Sequence, residues 1–359
     1  MTGRERLTAV LNRRRPDRLG WTCLADGNTL GALGEDLRGI SYLDFCRRVG
    51  CDILLLEGWG TPHHFASPGF SWGPGVTGFY RQENGQDVSE WQTDTGTLTA
   101  AHKNGHPRKF PVTNIDELRI YRVMWEAACF EPRDDSETIK ALDALVGEDG
   151  IVTRFWGPSA IPRLLEYDMG MENFYYLLAD HPGEMAELIE LMHQREIRAF
   201  EMLASGPCDV VTLVENTSTR YISPDIYRRF NGPHVADFVE IVHAAGKTAL
   251  IHMCGHILNL LPLIKDTGLD GIHALTPPPV GDTPWQAALD VLGDNLIIIG
   301  AFDPNAFISG PVEEIAPALE ALYTPPIRRS NVILGAFADG ISVPLDRFLA
   351  VAAWFERNG

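Results

Sequence analysis

Two histidines and one cysteine follow an apolar run near the middle of the chain. The stretch 248–256 reads TALIHMCGH, in which single residues separate His252, Cys254 and His256. In an extended strand, residues i and i+2 face the same way, so His252 and Cys254 can reach one ligand. Imidazole and thiolate groups together suit a soft divalent metal such as zinc. A histidine and a cysteine that only pack at a strand end would give the same spacing.

A second apolar run also ends in polar residues. The stretch 208–216, CDVVTLVEN, closes on Glu215 and Asn216. An unpaired buried charge is costly, so Glu215 requires a partner. A metal ion shared with the next strand would be one partner, and an ion pair with Arg220 or Arg154 would be another.

These runs belong to an alternation of short apolar segments and amphipathic segments, which is typical of repeated βα units. Eight runs qualify as strands: 18–24, 52–57, 151–156, 209–215, 248–254, 270–274, 296–301 and 331–336. Runs such as LIII and DILLLE are continuously apolar, as parallel strands covered on both faces require. Eight such units predict the α/β class and a (β/α)8 TIM barrel.

Amphipathic segments between the runs predict the helices. Ser223 is a plausible N-cap, with Pro224 at the first helical position and Gly246 just past the end of the segment. The predicted helices include 171–204, 223–246, 257–267 and 344–357.

Residues 60–125 interrupt the alternation. This region is rich in glycine, threonine and aromatic residues and contains the turn pairs Asn84-Gly85 and Asn104-Gly105. We therefore expect one barrel domain over 1–359, with an inserted β-hairpin and loop region at 60–125 between the second and third barrel strands.

Catalytic groups of α/β barrels lie at the C-terminal ends of the strands. The predicted strand ends contain three candidate catalytic acid or base groups: Glu215, His252 and Asp26. They also contain six candidate substrate-binding residues: Asn28, Trp59, Arg154, Trp156, Asn216 and His273. Glu57 and Asp339 stand at strand ends as well.

The overall composition narrows the partners and the compartment. The formal net charge is −18, which disfavours nucleic acid as a partner, and the short Arg13–Arg15 cluster is expected to be a solvated turn. No apolar run approaches about 20 residues, so we expect no membrane span. The six cysteines form no CxxC pair, and the first residues lack an apolar signal segment. A cytoplasmic location is expected.

Three blocks of the sequence carry a family resemblance. RERLTAVLNRRRPDRLG, the block from ISPDIYRRF to HMCGH, and GLDGIHALTPPPVGD followed by LIIIGAFDP resemble the uroporphyrinogen decarboxylase superfamily over nearly the whole chain. The resemblance implies a (β/α)8 barrel. It also implies one of two chemistries, namely cofactor-free decarboxylation of uroporphyrinogen or methyl transfer by zinc enzymes that work with a corrinoid protein.

The details of the resemblance favour methyl transfer. The decarboxylases carry an arginine-rich RQAGR stretch after the first strand, where this chain reads CLADGNTLG. The methyltransferases share HxC at the fifth strand, matched here by His252 and Cys254, and a second cysteine near the last strand. No cysteine follows Cys254, so this chain departs from the ligand set that the resemblance implies. Glu215 is available as a substitute ligand, with His273 or Asp339 as further candidates.

The resemblance thus predicts a methyltransferase of a corrinoid-dependent methyl-transfer system. Its cofactors would be zinc, held by His252, Cys254 and Glu215, and a corrinoid (cobalamin) supplied by a partner protein. Its other partners would be a small-molecule methyl donor or acceptor and a second copy of the chain in a homodimer. Two alternatives stay open: a metal-free decarboxylase or lyase that uses Asp26, Glu215 and His252, and a non-catalytic protein that binds a tetrapyrrole or corrinoid.

Overall fold

A computed structural model describes the whole chain, residues 1–359. Fourteen short strands are present, and most of the longer apolar runs fall within them. Numbered in chain order, the strands are β1 (Gly20–Ala25), β2 (Ile53–Leu56), β3 (Gly69–Ser71), β4 (Thr77–Glu83), β5 (Gln86–Thr93), β6 (Gly96–Lys103), β7 (His106–Lys109), β8 (Cys129–Glu131), β9 (Gly150–Trp156), β10 (Val210–Val214), β11 (Thr248–His252), β12 (Gly271–Leu275), β13 (Ile297–Gly300) and β14 (Asn331–Ala338).

Eight of these strands form one parallel sheet in the order β1-β14-β13-β12-β11-β10-β9-β2. Between its two edges, the Asp52 amide donates a hydrogen bond to the Trp21 carbonyl at 2.8 Å, so the sheet nearly closes into a barrel. Each of the eight runs selected from the sequence contains most or all of one barrel strand. The structure confirms the predicted (β/α)8 TIM barrel.

The barrel interior is filled by alternate residues of the strands, as the two-residue side-chain period requires. Leu54 and Leu56 of β2 and Ile297 and Ile299 of β13 belong to one buried apolar cluster. Leu7, Val10 and Leu11 of the N-terminal helix join the same cluster. Because that helix precedes β1, it packs beneath the barrel, at the N-terminal ends of the strands.

Fifteen α-helices accompany the strands. They are α1 (Gly3–Leu11), α2 (Gly27–Gly31), α3 (Tyr42–Val49), α4 (Ile115–Ala127), α5 (Ser136–Val146), α6 (Ala160–Arg163), α7 (Gly170–Asp180), α8 (Pro182–Ser205), α9 (Pro224–Ile226), α10 (Gly232–Ala244), α11 (Leu261–Lys265), α12 (Trp285–Leu292), α13 (Pro304–Ile308), α14 (Ile315–Leu322) and α15 (Leu345–Asn358). None of them combines the length and the low charge that a membrane-spanning helix needs.

Two of the predicted helices are interrupted. The predicted helix 171–204 is two helices, because Pro182 has no amide hydrogen to continue α7 and instead begins α8. In the predicted helix 223–246, a π-helical turn at Tyr227–Asn231 separates α9 from α10. Ser223 is its N-cap, as predicted, and accepts a hydrogen bond from the Ile226 amide.

The inserted region contains a four-stranded antiparallel sheet in the order β4-β5-β6-β7. Its Asn-Gly pairs, 84–85 and 104–105, have positive φ at both positions, which is typical of the tight hairpin turns predicted there. Residues 115–125, which were expected in hairpins or loops, instead begin helix α4. Asn114 caps that helix, and Leu118, Tyr121 and Trp125 are buried at helical spacing.

The chain separates into two compact units. The first contains residues 1–65, 134–156 and 206–359 and holds the whole eight-stranded sheet. The second contains residues 66–133 and 157–205, and thus takes in α6, α7 and α8 as well as the inserted strands. The expected insert at 60–125 covers only part of this second unit.

Candidate functional site

A cavity of about 490 Å³ lies at the C-terminal ends of the barrel strands. All eight strands contribute a residue at or near their ends, from Leu24 of β1 to Phe337 of β14. Five aromatic residues line it: Trp59, Phe155, Phe302, Phe307 and Phe337. The polar residues in its wall are Glu57, Asn216, His252, Cys254, His273, Thr276 and Asp339. No lysine or arginine is among the lining residues, so the wall is mainly apolar and carries acidic charge only.

His252 and Cys254 both line this cavity, on either side of Met253. Met253 is fully buried and its amide donates to the His273 carbonyl, so the backbone stays extended past the end of β11. Side chains of an extended segment alternate between its two faces, which places the imidazole and the thiol on the same face. His252 and Cys254 therefore line one cavity, and their joint role as metal ligands stays a prediction.

Gly255 ends this segment with a close approach between two loops. A Cβ atom at Gly255 would lie 2.5 Å from the Ser218 Cβ and 2.9 Å from the Thr217 carbonyl oxygen. The His256 amide also donates to the Ser218 hydroxyl at 3.1 Å, which fixes the loop after Cys254. Only a glycine fits between these groups, at the position next to Cys254.

Replacing Gly255 with alanine is expected to destabilise the protein by about 2 kcal/mol, because the Ser218–Thr217 backbone must move to make room. Urea denaturation measures the change. Gly183→Ala is the matched control, since a Cβ there meets nothing within 4 Å and lies in helix α8, where alanine is favoured. Equal stability of the two variants would contradict the close approach.

His252 and His273, on neighbouring strands β11 and β12, are hydrogen-bonded to each other. Their Nδ1 atoms are 2.8 Å apart, and the edge of Phe155 packs on both rings. Burial lowers the pKa of His252 to about 4. Burial, together with the charge of His252, also lowers the pKa of His273 well below its ordinary value. Both imidazoles are therefore neutral near pH 7, which is the form that binds metals.

The histidine pair makes the stability of the metal-free protein depend on pH. Unfolded histidines have a pKa near 6.5, so between about pH 6.5 and 4 the unfolded chain binds more protons than the native chain. Stability should therefore fall as the pH is lowered through this window, by up to roughly 1.4 kcal/mol per pH unit for each histidine. Urea denaturation in the presence of a chelator measures this slope.

The double variant His252→Gln/His273→Gln should have a flatter profile than the wild type in that window. His106→Gln, which removes an exposed histidine from β7, should keep the wild-type slope. A double variant with an unchanged slope would show that the two imidazoles are not buried in neutral form.

Glu57 is held in the cavity wall by a buried arginine. Arg154 donates from Nε and Nη2 to the two Glu57 carboxylate oxygens, each at 2.8 Å, and the Phe155 amide donates to Oε2 at 2.9 Å. The ring of Phe65 covers the guanidinium at 4.3 Å. Arg154 is thus a second layer behind Glu57, and it does not line the cavity itself.

Three non-glycine residues of the wall have a left-handed backbone. Glu57, Asn216 and Ala274 have φ values of 50°, 45° and 62°, and each lies at the C-terminal end of a barrel strand. Such strained conformations cost about 1–3 kcal/mol each and persist where the surrounding structure imposes them, often at functional sites. Their clustering here supports the assignment of this cavity as the functional site.

Glu215 lies apart from the cavity. Its neighbours Val214 and Asn216 line the wall, whereas the Glu215 carboxylate accepts hydrogen bonds from the Asn231 side chain at 2.9 Å and the Thr217 hydroxyl at 3.2 Å. Because successive strand residues face opposite sides, Glu215 points into the surrounding helical layer. The structure does not bring its carboxylate together with His252 and Cys254.

Asp26 and Asn28 form a helix cap. The Asp26 carboxylate accepts four hydrogen bonds, from the Asn28 and Thr29 amides, the Asn28 side chain and the Gly340 amide. Partial burial raises the pKa of Asp26, but these hydrogen bonds outweigh it and leave the pKa below its usual value. This carboxylate joins the loops after β1 and β14, and neither Asp26 nor Asn28 lines the cavity.

Of the six candidate substrate-binding residues, three line the cavity: Trp59, Asn216 and His273. Arg154 supports Glu57 from behind, Asn28 is exposed, and Trp156 follows the inward-facing Phe155 and is not part of the wall. Strand alternation explains the last difference, since a residue next to an inward-facing one faces outward.

The sequence census did not select the four phenylalanines of the wall. Phe155, Phe302, Phe307 and Phe337 come from three strand ends and from α13, and nothing in their local sequence distinguishes them from core residues. For Glu57 a signal was present, since it is a carboxylate at the end of an apolar strand, just as Glu215 is.

A separate group of three thiols was also not expected. The sulfur atoms of Cys23, Cys46 and Cys51 lie within 4.8 Å of one another, and all three residues are buried. Cys23 Sγ is 3.6 Å from Cys46 Sγ and 3.5 Å from Cys51 Sγ. These residues come from β1, α3 and the turn before β2, and their separation in the sequence concealed the group.

The cavity residues offer the kinds of donor atom that bind zinc, but fewer of them than the usual four ligands. His252, in its neutral form, and Cys254 offer one nitrogen and one sulfur donor in the same wall, and His273 in that wall is hydrogen-bonded to His252. His273 Nε2 is buried without a hydrogen-bond partner, so the pair contains a polar atom that the protein leaves unsatisfied. Glu215, the expected third ligand, does not join them.

Comparison with known proteins gives three findings. A model of the uroporphyrinogen decarboxylase (URO-D) family matches residues 159–337. The methylcobamide:CoM methyltransferase MtbA of Methanosarcina acetivorans is 22% identical over 187 residues, which are 51% of this chain and 52% of that protein. The match therefore spans about half the length of this relative.

The third finding is a solved structure, a methyltransferase from Methanosarcina mazei. It covers 99% of this chain, and this chain covers 99% of it, with a TM-score of 0.63 and 14% sequence identity. At this identity the likeness shows a shared fold across the whole chain.

Proposed function

We propose that this chain, a member of the uroporphyrinogen decarboxylase superfamily, is a methyltransferase that acts at the barrel cavity in a corrinoid-dependent system. The observation that carries the proposal is the cavity itself, which combines His252 and Cys254 with an aromatic wall free of lysine and arginine. The partial match to MtbA, a protein named for methyl transfer from a methylcobamide to CoM, supports the same chemistry.

We propose His252 and Cys254 as metal ligands, with His273 as the residue that positions His252. In the hydrogen bond between the two Nδ1 atoms, one imidazole donates and the other accepts. If His252 donates, its Nε2 keeps a lone pair for a metal, and His273 fixes the tautomer as outer partners of metal-bound histidines do. A zinc ion bound there would supply Lewis acidity and lower the pKa of a bound thiol.

The aromatic residues have a different part in the proposed reaction. Phe155 and Phe337 pack on the histidine pair, and Phe302 lines the same cavity. A substrate bound against these rings would be shielded from water, which strengthens electrostatic interactions there. The cavity volume of about 490 Å³ suits a small organic methyl donor or acceptor. The methylated corrinoid partner would approach through the open mouth of the cavity, where Cys254 is exposed.

The cavity wall disfavours the decarboxylase alternative. A substrate with many carboxylates requires cationic groups, and the lining contains none. Asp26 and Glu215, two of the acid or base groups which that alternative requires, do not line the cavity either.

The proposal is tested with zinc-loaded protein, methylcob(III)alamin and a panel of small thiols. Loss of the methyl–cobalt bond changes the visible spectrum of the corrinoid, which gives a direct rate. In the reverse direction, cob(I)alamin is offered methoxyaromatics and methylamines. We expect turnover with at least one compound, inhibited by a chelator and restored by zinc. No methyl transfer in either direction across the panel would overturn the proposal.

A further inference from the structure

Six arginines surround a cleft of about 370 Å³ beneath the barrel. They are Arg13, Arg14, Arg15, Arg18, Arg328 and Arg329. The first four precede β1 and the last two precede β14, so the cleft lies at the N-terminal ends of the strands. It is therefore at the opposite end of the barrel from the cavity described above.

Three of these guanidinium groups are paired with acidic residues. Arg13 pairs with Asp270, Arg18 pairs with Asp52 at 3.3 Å, and Arg328 pairs with Glu320 at 3.2 Å. Each of the three also donates to backbone carbonyl groups. These contacts fix the walls of the cleft.

The other three guanidinium groups carry uncompensated charge. Arg14, Arg15 and Arg329 are exposed, and no hydrogen bond or ion pair engages their side chains. The one acidic side chain in the cleft wall, Asp17, is already bound to Arg6 at 2.9 Å. Three positive charges thus converge on a concave surface of a protein whose net charge is −18.

We propose that this cleft binds a small ligand that carries a diphosphate group. Arginine presents a planar fork of donors that matches phosphate oxygens, often in bidentate pairs. Two linked phosphates bring about three negative charges near neutral pH, which balances the three uncompensated guanidinium groups. The cleft volume lies within the range of small-ligand sites.

A compact ligand fits this surface better than a long polyanion. Nucleic acid would extend past the cleft onto a surface of strongly negative net charge and would be repelled there. A diphosphate group can be enclosed by the arginines, with few contacts to that surface. The cleft shares no residue with the cavity, so a ligand bound there does not require methyl transfer at the cavity.

Isothermal titration tests the proposal with two probes, inorganic pyrophosphate and ADP, on the full chain in low-salt buffer. We expect saturable one-to-one binding of at least one probe, with AMP binding at least about tenfold more weakly because it lacks the second phosphate. Binding of pyrophosphate indicates that the diphosphate alone suffices, and binding of ADP only indicates that the nucleoside contributes. In either case the cleft is supported.

The variant Arg14→Ala/Arg15→Ala/Arg329→Ala should lose this binding by at least about tenfold and remain folded, since these three side chains are exposed and make no hydrogen bond or ion pair. The matched control is Arg38→Ala/Arg198→Ala/Arg228→Ala, which removes three exposed arginines outside the cleft and should bind as the wild type does. Equal losses of binding in both variants would overturn the proposal. So would the absence of binding of either probe to the wild type at 1 mM, a dissociation constant that corresponds to a binding free energy of roughly −4 kcal/mol. Capture of a single-stranded oligonucleotide without binding of pyrophosphate or ADP would overturn it as well.

Discussion

Replacing Cys254 with alanine is expected to lower methyl transfer by at least about a thousandfold, or roughly 4 kcal/mol of transition-state stabilisation. Cys254 supplies the single sulfur atom among the polar residues of the cavity wall, and no other residue there can replace a thiolate ligand. The zinc affinity of the variant should also fall, by more than about 100-fold. Loss of an outer partner of a metal ligand lowers the affinity by only roughly 10–100-fold. His252→Ala should show the same two losses.

Two further variants separate a ligand from its surroundings. His273→Gln, which removes the partner of His252, should weaken zinc binding by about 10–100-fold without abolishing it. Cys129→Ala, which removes an exposed cysteine outside the cavity, should leave zinc binding and turnover unchanged. Full zinc affinity in Cys254→Ala, measured against a competing chelator, would contradict the assigned ligand.

Replacing Glu57 with glutamine is expected to destabilise the protein by about 2 kcal/mol. The change removes the charge that balances Arg154, whose side chain is 2% exposed, and a buried cation without its partner is costly. The partial exposure of Glu57, 29%, keeps the loss below that of a fully buried pair. Urea denaturation measures the loss. The cavity wall should also lose order, because Glu57 fixes the Phe155 amide.

The control for this prediction is Glu137→Gln, which removes an exposed carboxylate paired with Lys140 on helix α5. Exposed pairs of this kind contribute about 0.5 kcal/mol or less. Adding Arg154→Met to Glu57→Gln should recover part of the lost stability, because the buried positive charge that Glu57 balanced is then removed as well. An Arg154→Met addition that costs further stability would show that the arginine is held by other contacts.

The barrel was predictable because its signal is local and repeated. Runs such as DILLLE and LIII are long enough to identify a buried strand, and eight of them with helical segments between leave few other folds. The break before Pro182 and the helix after Asn114 also have local causes. The sequence analysis missed both features because the spacing of apolar residues that marks them is weak. Stronger patterns lie nearby, such as the hairpin turns before α4.

The candidate site was predictable only where strand alternation fixes direction. The i, i+2 spacing of His252 and Cys254 predicted a shared face, and both residues line the barrel cavity. Glu215 was expected on the same face, but strand β10 ends at Val214, and the side chain of the next residue turns toward Asn231. Strand alternation directs Glu215 away from the wall, because its neighbours Val214 and Asn216 line it. Only the structure shows which alternate residues of this strand face inward.

The distant group Cys23, Cys46 and Cys51 and the arginine cleft show the same limit. Each joins residues from segments that are separated in the sequence, and only the closed fold brings them together. The Arg13–Arg15 cluster was interpreted as a solvated turn. In the structure, Arg328 and Arg329 of the segment before β14 line the same cleft as this cluster.

The most direct test of the account is an anomalous-scattering map at the zinc edge from crystals of the zinc-reconstituted protein. We predict one strong peak in the barrel cavity, about 2.3 Å from Cys254 Sγ and about 2.1 Å from His252 Nε2. That peak should be absent in Cys254→Ala. A map without density in the cavity, or with zinc only at Cys23, Cys46 and Cys51, would contradict the central claim that His252 and Cys254 form the catalytic metal site.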